Sequence, residues 1–327
     1  MTFQKSIVII VNKVVEKLNY YSSLILIILL NLTLSPAEVL AGRDKKVATT
    51  ASPFLKIGVG ARVCGMGEAF VGLSDDASAI YWNPAGLVQL AQPELIAVHN
   101  HWFSDINHEF IAYAHPVDEN IALGIGSTLV YIDDIERRDA PTVEPTGKFT
   151  ASDTLFIFSC ASKLTNKRIM LGGNMKIILQ KIESKKAGNI AFDLGTLYAI
   201  NDKTKLGIVI QNIGYKSKIY KEDFSLPICF KIGIGYNLIP NCLKAISDLT
   251  LYKDNNPTYA VGIEYSVGKV AFLRFGYRKK SAESPDGILS GITLGAGFKI
   301  LNSQIDYGYV PYDNVGDSHR ISLIFRF

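Results

Sequence analysis

The sequence predicts an all-β protein: a 14-stranded antiparallel transmembrane β-barrel with an N-terminal lumenal hatch, or plug, that contains short helices. Three observations carry this. From about residue 93 onward, apolar and polar residues alternate with a period of two. The alternating segments number fourteen, an even count as in bacterial outer-membrane barrels. The last of them puts Ile321, Leu323, Phe325 and Phe327 on one face.

Composition narrows the function classes. The chain has 327 residues, 48% hydrophobic and 20% charged, with 27 glycines. Net charge is +4, and no basic block follows the first 50 residues, which argues against a nucleic-acid surface. The four cysteines, Cys64, Cys160, Cys229 and Cys242, have no CxxC spacing, so neither a zinc site nor a cofactor is expected, and spacing alone assigns no disulfide.

Taken in order, residues 1–41 read as an export signal. Lys5, Lys13 and Lys17 precede the apolar run Leu24–Leu34, and two small-residue exits follow, Ser35-Pro36-Ala37 and Val39-Leu40-Ala41. Cleavage after one of these alanines is expected; the alternative is an uncleaved anchor, although the run is short for a spanning helix. Residues 42–92 form an arm and hatch, and residues 93–327 the barrel. The hatch, Phe54–Leu90, carries five glycines between Gly58 and Gly72, then an acidic pair, then Asn83-Pro84-Ala85-Gly86.

The strands are expected near 93–102, 107–117, 119–132, 152–164, 168–183, 189–201, 204–215, 226–237, 242–253, 257–267, 269–279, 287–300, 302–311 and 319–327. In 287–300, Ile292, Leu294, Ala296, Phe298 and Ile300 oppose Thr293, Gly295, Gly297 and Lys299. The same split recurs along the chain. Its polar face carries glycines and isolated charges (Lys176, Asp193, Lys231, Glu264, Arg274, Lys299), as a filled lumen requires. The apolar face ends often in aromatic residues, as interfacial girdles do. Short links such as Thr165-Asn166-Lys167 suit periplasmic turns, and the longer Asp133–Ala151, Lys216–Ser225 and Lys280–Asp286 suit the outside.

Several local patterns have two readings. Asn83-Pro84 fits the N-cap and first position of a short helix, and Ser74-Asp75-Asp76 caps Ala77–Tyr81. A gating or ligand-touching role would fall on Gly65, Gly67, Asp75, Asp76, Asn83, Pro84 and Ala85; a purely structural plug explains the same residues. A phosphate cradle needs a strand–turn–helix setting that is absent here. His99 and His101 share a face, but no matching Cys or carboxylate spacing supports a metal. No catalytic constellation stands out, so no enzyme is expected. Glu136, Arg137 and Arg138 fall in an outer loop, either as a solvated charge cluster or as a partner-binding site.

One stretch resembles a known family. Lys56-Ile57-Gly58, Gly60-Ala61-Arg62, Gly65-Met66-Gly67-Glu68-Ala69-Phe70, Asp75-Asp76-Ala77-Ser78-Ala79 and Tyr81-Trp82-Asn83-Pro84-Ala85-Gly86-Leu87 are similar to the PorV/PorQ family, within the wider FadL-like group. The likeness continues through Asp134-Ile135-Glu136-Arg137-Arg138, Gln211-Asn212-Ile213-Gly214 and Asp306-Tyr307-Gly308-Tyr309-Val310-Pro311-Tyr312. The resemblance implies an outer-membrane location, a fourteen-stranded barrel and a lumenal hatch. It also implies one of three roles: binding or passage of hydrophobic small molecules, a type IX secretion barrel that binds or shuttles exported proteins, or a structural barrel without transport. The expected partners are outer-membrane lipid and the barrel-assembly machinery, which would read the strand ending at Phe327, together with hydrophobic molecules or secreted proteins.

Overall fold

Fourteen strands form one closed sheet in the computed structural model of the chain. It describes residues 49–102, 106–138, 144–165, 167–219, 222–280, 291–311 and 316–327. The expected export signal, the start of the arm and most of the 280–286 link lie outside the described residues.

The strands are β1 (Glu94–His101), β2 (Asn107–Pro116), β3 (Ile121–Arg137), β4 (Gly147–Lys163), β5 (Ile169–Ile182), β6 (Lys185–Ala199), β7 (Thr204–Gly214), β10 (Cys229–Ile239), β11 (Leu243–Tyr252), β12 (Thr258–Val267), β13 (Ala271–Lys280), β14 (Ile292–Ile300), β15 (Ser303–Pro311) and β16 (Asp317–Arg326). Each pairs antiparallel with its neighbours in sequence. The ring closes where β1 meets β16, from Glu94↔Arg326 to His101↔His319. The link after β7 holds a small separate hairpin, β8 (Ser217–Ile219) with β9 (Glu222–Phe224).

The predicted faces hold. Leu171, Met175 and Leu179 of β5 point outward and exposed, while Met170, Asn174, Lys176 and Ile178 are buried inside. The outer wall continues with Phe192, Leu194, Leu273, Phe275, Leu294, Phe298, Ile321 and Leu323. A belt this apolar is stable only against lipid, and closure pairs the edge backbone groups that lipid could not satisfy.

The interior is occupied by residues of the 51–92 segment. It runs through a 3₁₀ turn (Pro53–Lys56), α1 (Ala61–Cys64), α2 (Ala79–Trp82) and a second 3₁₀ turn (Pro84–Gln89). Val59, Val63, Met66, Phe70, Ile80 and Leu87 are fully or almost fully buried in the core that this segment makes with the wall. Helices this short cannot stand alone. Contact with the wall holds them.

Some boundaries differ from expectation. β3 and β4 both run 17 residues, so most of the expected Asp133–Ala151 loop is strand. A bulge between Ile132 and Ile135, with Asp134 at φ 57°, interrupts the ladder and lets it resume. Beyond the lipid belt a strand no longer needs an apolar face, so the alternation fades there while the hydrogen bonds continue.

Candidate functional site

The lumen has two levels, set by the strand directions. The turn end holds the chain links 117–120, 164–168, 200–203, 240–242, 268–270 and 301–302. The loop end holds the others.

Toward the turn end, the plug is fastened by charge. Arg62 of α1 pairs with Asp75 (2.7 Å), Asp76 (2.7 Å) and Glu264 of β12 (2.7 Å). Glu264 also meets Arg274 of β13 (2.8 Å), which reaches Asp306 of β15 (2.7 Å), and Lys244 of β11 meets Asp75 (2.7 Å). Burial works against ionisation of Asp75, but Arg62 and Lys244 outweigh it and hold its carboxyl well below the usual carboxylate range. Burial likewise opposes the charge of Arg62, and Asp75, Glu264 and Asp76 overcome it. Asp248 of β11 adds a neutral-to-charged clamp: its Oδ2 accepts from the Phe70 and Val71 amides at 2.6 and 2.8 Å.

Backbone packing does the rest. A Cβ on Gly65 would lie 2.7 Å from Gly295 Cα, and one on Gly72 would lie 2.5 Å from Gly235 N. Gly67 has φ +70° and donates its N–H to Thr293 Oγ1 at 2.9 Å. The inward glycines of the wall are therefore sockets for plug backbone.

The residues singled out in the sequence are dispersed through this plug. Asn83 caps the turn Pro84–Gln89, its Oδ1 accepting from Ala85 N (3.2 Å) as expected, and its Nδ2 donates to Val71 O (3.0 Å) and Thr196 O (3.2 Å). The helix it starts is 3₁₀, and Ala85 packs on Gly172 of the wall. Within the expected cap run Ser74-Asp75-Asp76 it is Asp76 that serves, its Oδ1 accepting from Ser78 N and Ser78 Oγ, while Ser74 Oγ donates to Phe70 O. Glu136 and Arg137 stand at the end of β3 rather than in a loop. Arg138 pairs with Glu136 (2.7 Å) and Arg137 with Glu183. His99 is outward and pairs with Glu109 at 2.7 Å. All four cysteines are free, and burial pushes the Cys64 thiol up to about 11.

A cavity of about 420 Å³ opens at the loop end, between plug and wall. Leu55, Ile57, Tyr81, Trp82, Trp102 and Tyr252 supply its apolar surface, and Lys56, Glu68, Lys231, Arg278 and Arg320 its charge. Tyr81 Oη donates to Leu55 O (3.0 Å) and Trp82 Nε1 to Val59 O (3.0 Å), which fixes both rings. Of the residues expected to gate or touch a ligand, only Gly67 touches this cavity. Asn83, one of the residues expected to gate or touch a ligand, is fully buried and packs on Gly195. The wall residues of the cavity come from eight strands or links. The signals for them were Lys231 as an isolated charge on the inward face and the family-like runs Lys56-Ile57-Gly58, Gly67-Glu68, Tyr81-Trp82 and Gln211-Asn212.

The comparisons agree with this fold. The chain is similar in fold to a CymD monoaromatic hydrocarbon channel, with TM-score 0.60 and 15% identity over 83% of this chain and 98% of that one. It is similar to a Pseudomonas aeruginosa FadL homologue (TM-score 0.58, 11% identity, 82% and 98% covered) and to the Ralstonia pickettii toluene transporter TbuX (TM-score 0.57, 12% identity, 83% and 98% covered). A search of curated proteins finds no match. At these identities the solved structures share the fold. The family model described as "Type IX secretion system protein PorV" matches residues 40–258, about two thirds of the sequence, and the chain belongs to the PorV family of outer-membrane barrels.

Proposed function

We propose that this barrel binds small hydrophobic molecules at the loop-end cavity and passes them across the outer membrane when the plug yields. The loop end is the outer face in barrels of this kind, so the cavity would be filled from outside. The carrying observation is the cavity itself. Its volume lies within the roughly 300–1,000 Å³ of small-molecule sites, and it has rigid aromatic walls with a few polar groups. The filled lumen favours binding before passage over free diffusion. The names of the solved relatives, hydrocarbon channels and a toluene transporter, support the same ligand class. Binding and passage, not catalysis, is the reading; residues 1–41 act as a cleaved export signal, and the barrel-assembly machinery reads the strand ending at Phe327. Gating falls to the plug as a whole, including Gly65, Gly67, Asp75, Asp76, Asn83, Pro84 and Ala85.

The chain's two tryptophans, Trp82 and Trp102, both line the cavity. Titration of purified barrel in nonionic micelles with iodinated aromatics, which quench indole on contact, is expected to give saturable quenching. Linear quenching alone, equal to that of free tryptophan in the same micelles, would count against the reading.

The family match favours a second reading, a secretion-associated barrel that holds exported proteins at the cell surface. The protruding ends of β3 and β4, with Glu136, Arg137 and Arg138, are its candidate surface. Affinity capture from native membranes should then recover exported proteins, and E136A/R137A/R138A should release them. Unchanged recovery by the triple variant would remove this surface from consideration.

A further inference from the structure

The outward face of the β5–β6 hairpin changes character within one step. Met175 and Leu179 of β5 and Ile190 and Phe192 of β6 are exposed parts of the lipid belt. Leu179 lies opposite Gly188 across the ladder, and two residues further on the same face Lys181 lies opposite Lys186. Both lysines are exposed. Residues 181–186, the loop-end tip of the hairpin, carry three lysines against one glutamate.

Like charges set directly opposite each other on a sheet are destabilising. Among the described residues neither the Lys181 nor the Lys186 ammonium has a hydrogen bond or an ion pair. The carboxylates nearby are committed elsewhere: Glu183 to Arg137, Asp133 to Thr150 Oγ1 (2.9 Å) and Asp134 to Lys148 (3.3 Å). The row extends over the neighbouring strands. Lys181 lies opposite Ser152 of β4, and Ser152 opposite Tyr131 of β3. On the other side Tyr215, 85% exposed, is tied to β6 by Asn189, whose Nδ2 donates to its carbonyl at 2.9 Å. The lysine pair therefore stands at the loop-end rim of the belt, flanked by a hydroxyl and by aromatic side chains of the kind that mark the headgroup level.

We infer that Lys181 and Lys186 clamp the phosphate of an outer-leaflet lipid whose acyl chains lie on the belt below. This goes beyond the cavity reading and does not depend on it; it uses only the assignment of the loop end as the outer face. A phosphate set between the two ammonium groups turns a repulsive pair into two charge-assisted hydrogen bonds. Leu179 and Ile190, exposed directly beneath, favour a phosphate that carries acyl chains over a free one.

The test titrates delipidated barrel in nonionic micelles with lipid A, a phosphorylated glycolipid, and counts bound lipid by native mass spectrometry. Dephosphorylated lipid A and inorganic phosphate are the comparison probes. Wild type should bind lipid A about tenfold or more tightly than the dephosphorylated form, the scale of two lysines acting on a lipid charge, and inorganic phosphate should not displace it at equal concentration. K181Q/K186Q should erase the preference. K203Q/K269Q, which removes two exposed lysines at the turn end, should keep it. All variants are checked for folding by heat-modifiable gel mobility. Equal binding of both glycolipids by wild type would overturn the phosphate assignment. Displacement by equimolar inorganic phosphate would make this a free-phosphate site and overturn the lipid. A preference that survives in folded K181Q/K186Q, or is lost equally in K203Q/K269Q, would overturn the role of this pair. The wild-type comparison needs no variant, so misfolding of K181Q/K186Q would not shield the phosphate assignment.

Discussion

The two levels of the lumen use the same residue types to opposite ends. At the turn end, Arg62, Lys244 and Arg274 interlock with Asp75, Asp76, Glu264 and Asp306, and five of these seven charges have two or more charged partners. At the loop end, Lys231 has aromatic faces and space. A saturated network resists motion, because any displacement exposes buried charge. An unsaturated one is open to a ligand. The plug is thus anchored from below and available from above.

This contrast can be broken. The largest effect is expected from R62M, which leaves Asp76 and Glu264 buried with fewer counter-charges; breaking a buried pair from one side costs about 3–5 kcal/mol, read as a lower urea midpoint of the folded barrel. G276A is next. A methyl there would fall on the Gly67 amide and Met66 carbonyl carbon, and overpacking of about 3 kcal/mol should either loosen the plug or prevent folding, seen as lost heat-modifiable mobility. D75N acts through pH. The depressed pKa of Asp75 means its contribution is fully present above about pH 4, the unfolded value, and is lost as pH falls through the folded one. D75N should therefore lower stability at neutral pH and narrow the gap to wild type in acid, measured by urea titration from pH 7 down to pH 3. The smallest effect is expected from K231Q, which removes an ammonium with no ion pair among the described residues: the urea midpoint should stay near that of the wild type. A fall as large as that of R62M would mean the two levels do not differ.

Much of this was legible in the sequence. Leu171, Met175 and Leu179 against Asn174 and Lys176 gave the wall its two faces, because a strand allows only one phase. Asn83-Pro84 announced its turn, because capping is local chemistry. The Asp133–Ala151 segment was misread as loop because beyond the lipid belt no apolar face marks a strand. The cavity was not legible. Its residues, from Leu55 to Arg320, are brought together by closure of the ring, while Asn83 packs against Gly195.

By itself the sequence determined the strand number, the lipid-facing wall and the presence of a glycine-rich plug, since each follows from short-range periodicity and turn chemistry. Which charges pair and which stays alone was decided only by tertiary structure. Arg62 and Glu264 are 202 residues apart and share an ion pair; Lys231, inward on β10 two strands from Glu264, has none among the described residues. Pairing depends on the register of strands distant in sequence and on where the plug backbone seats, and no local pattern encodes either.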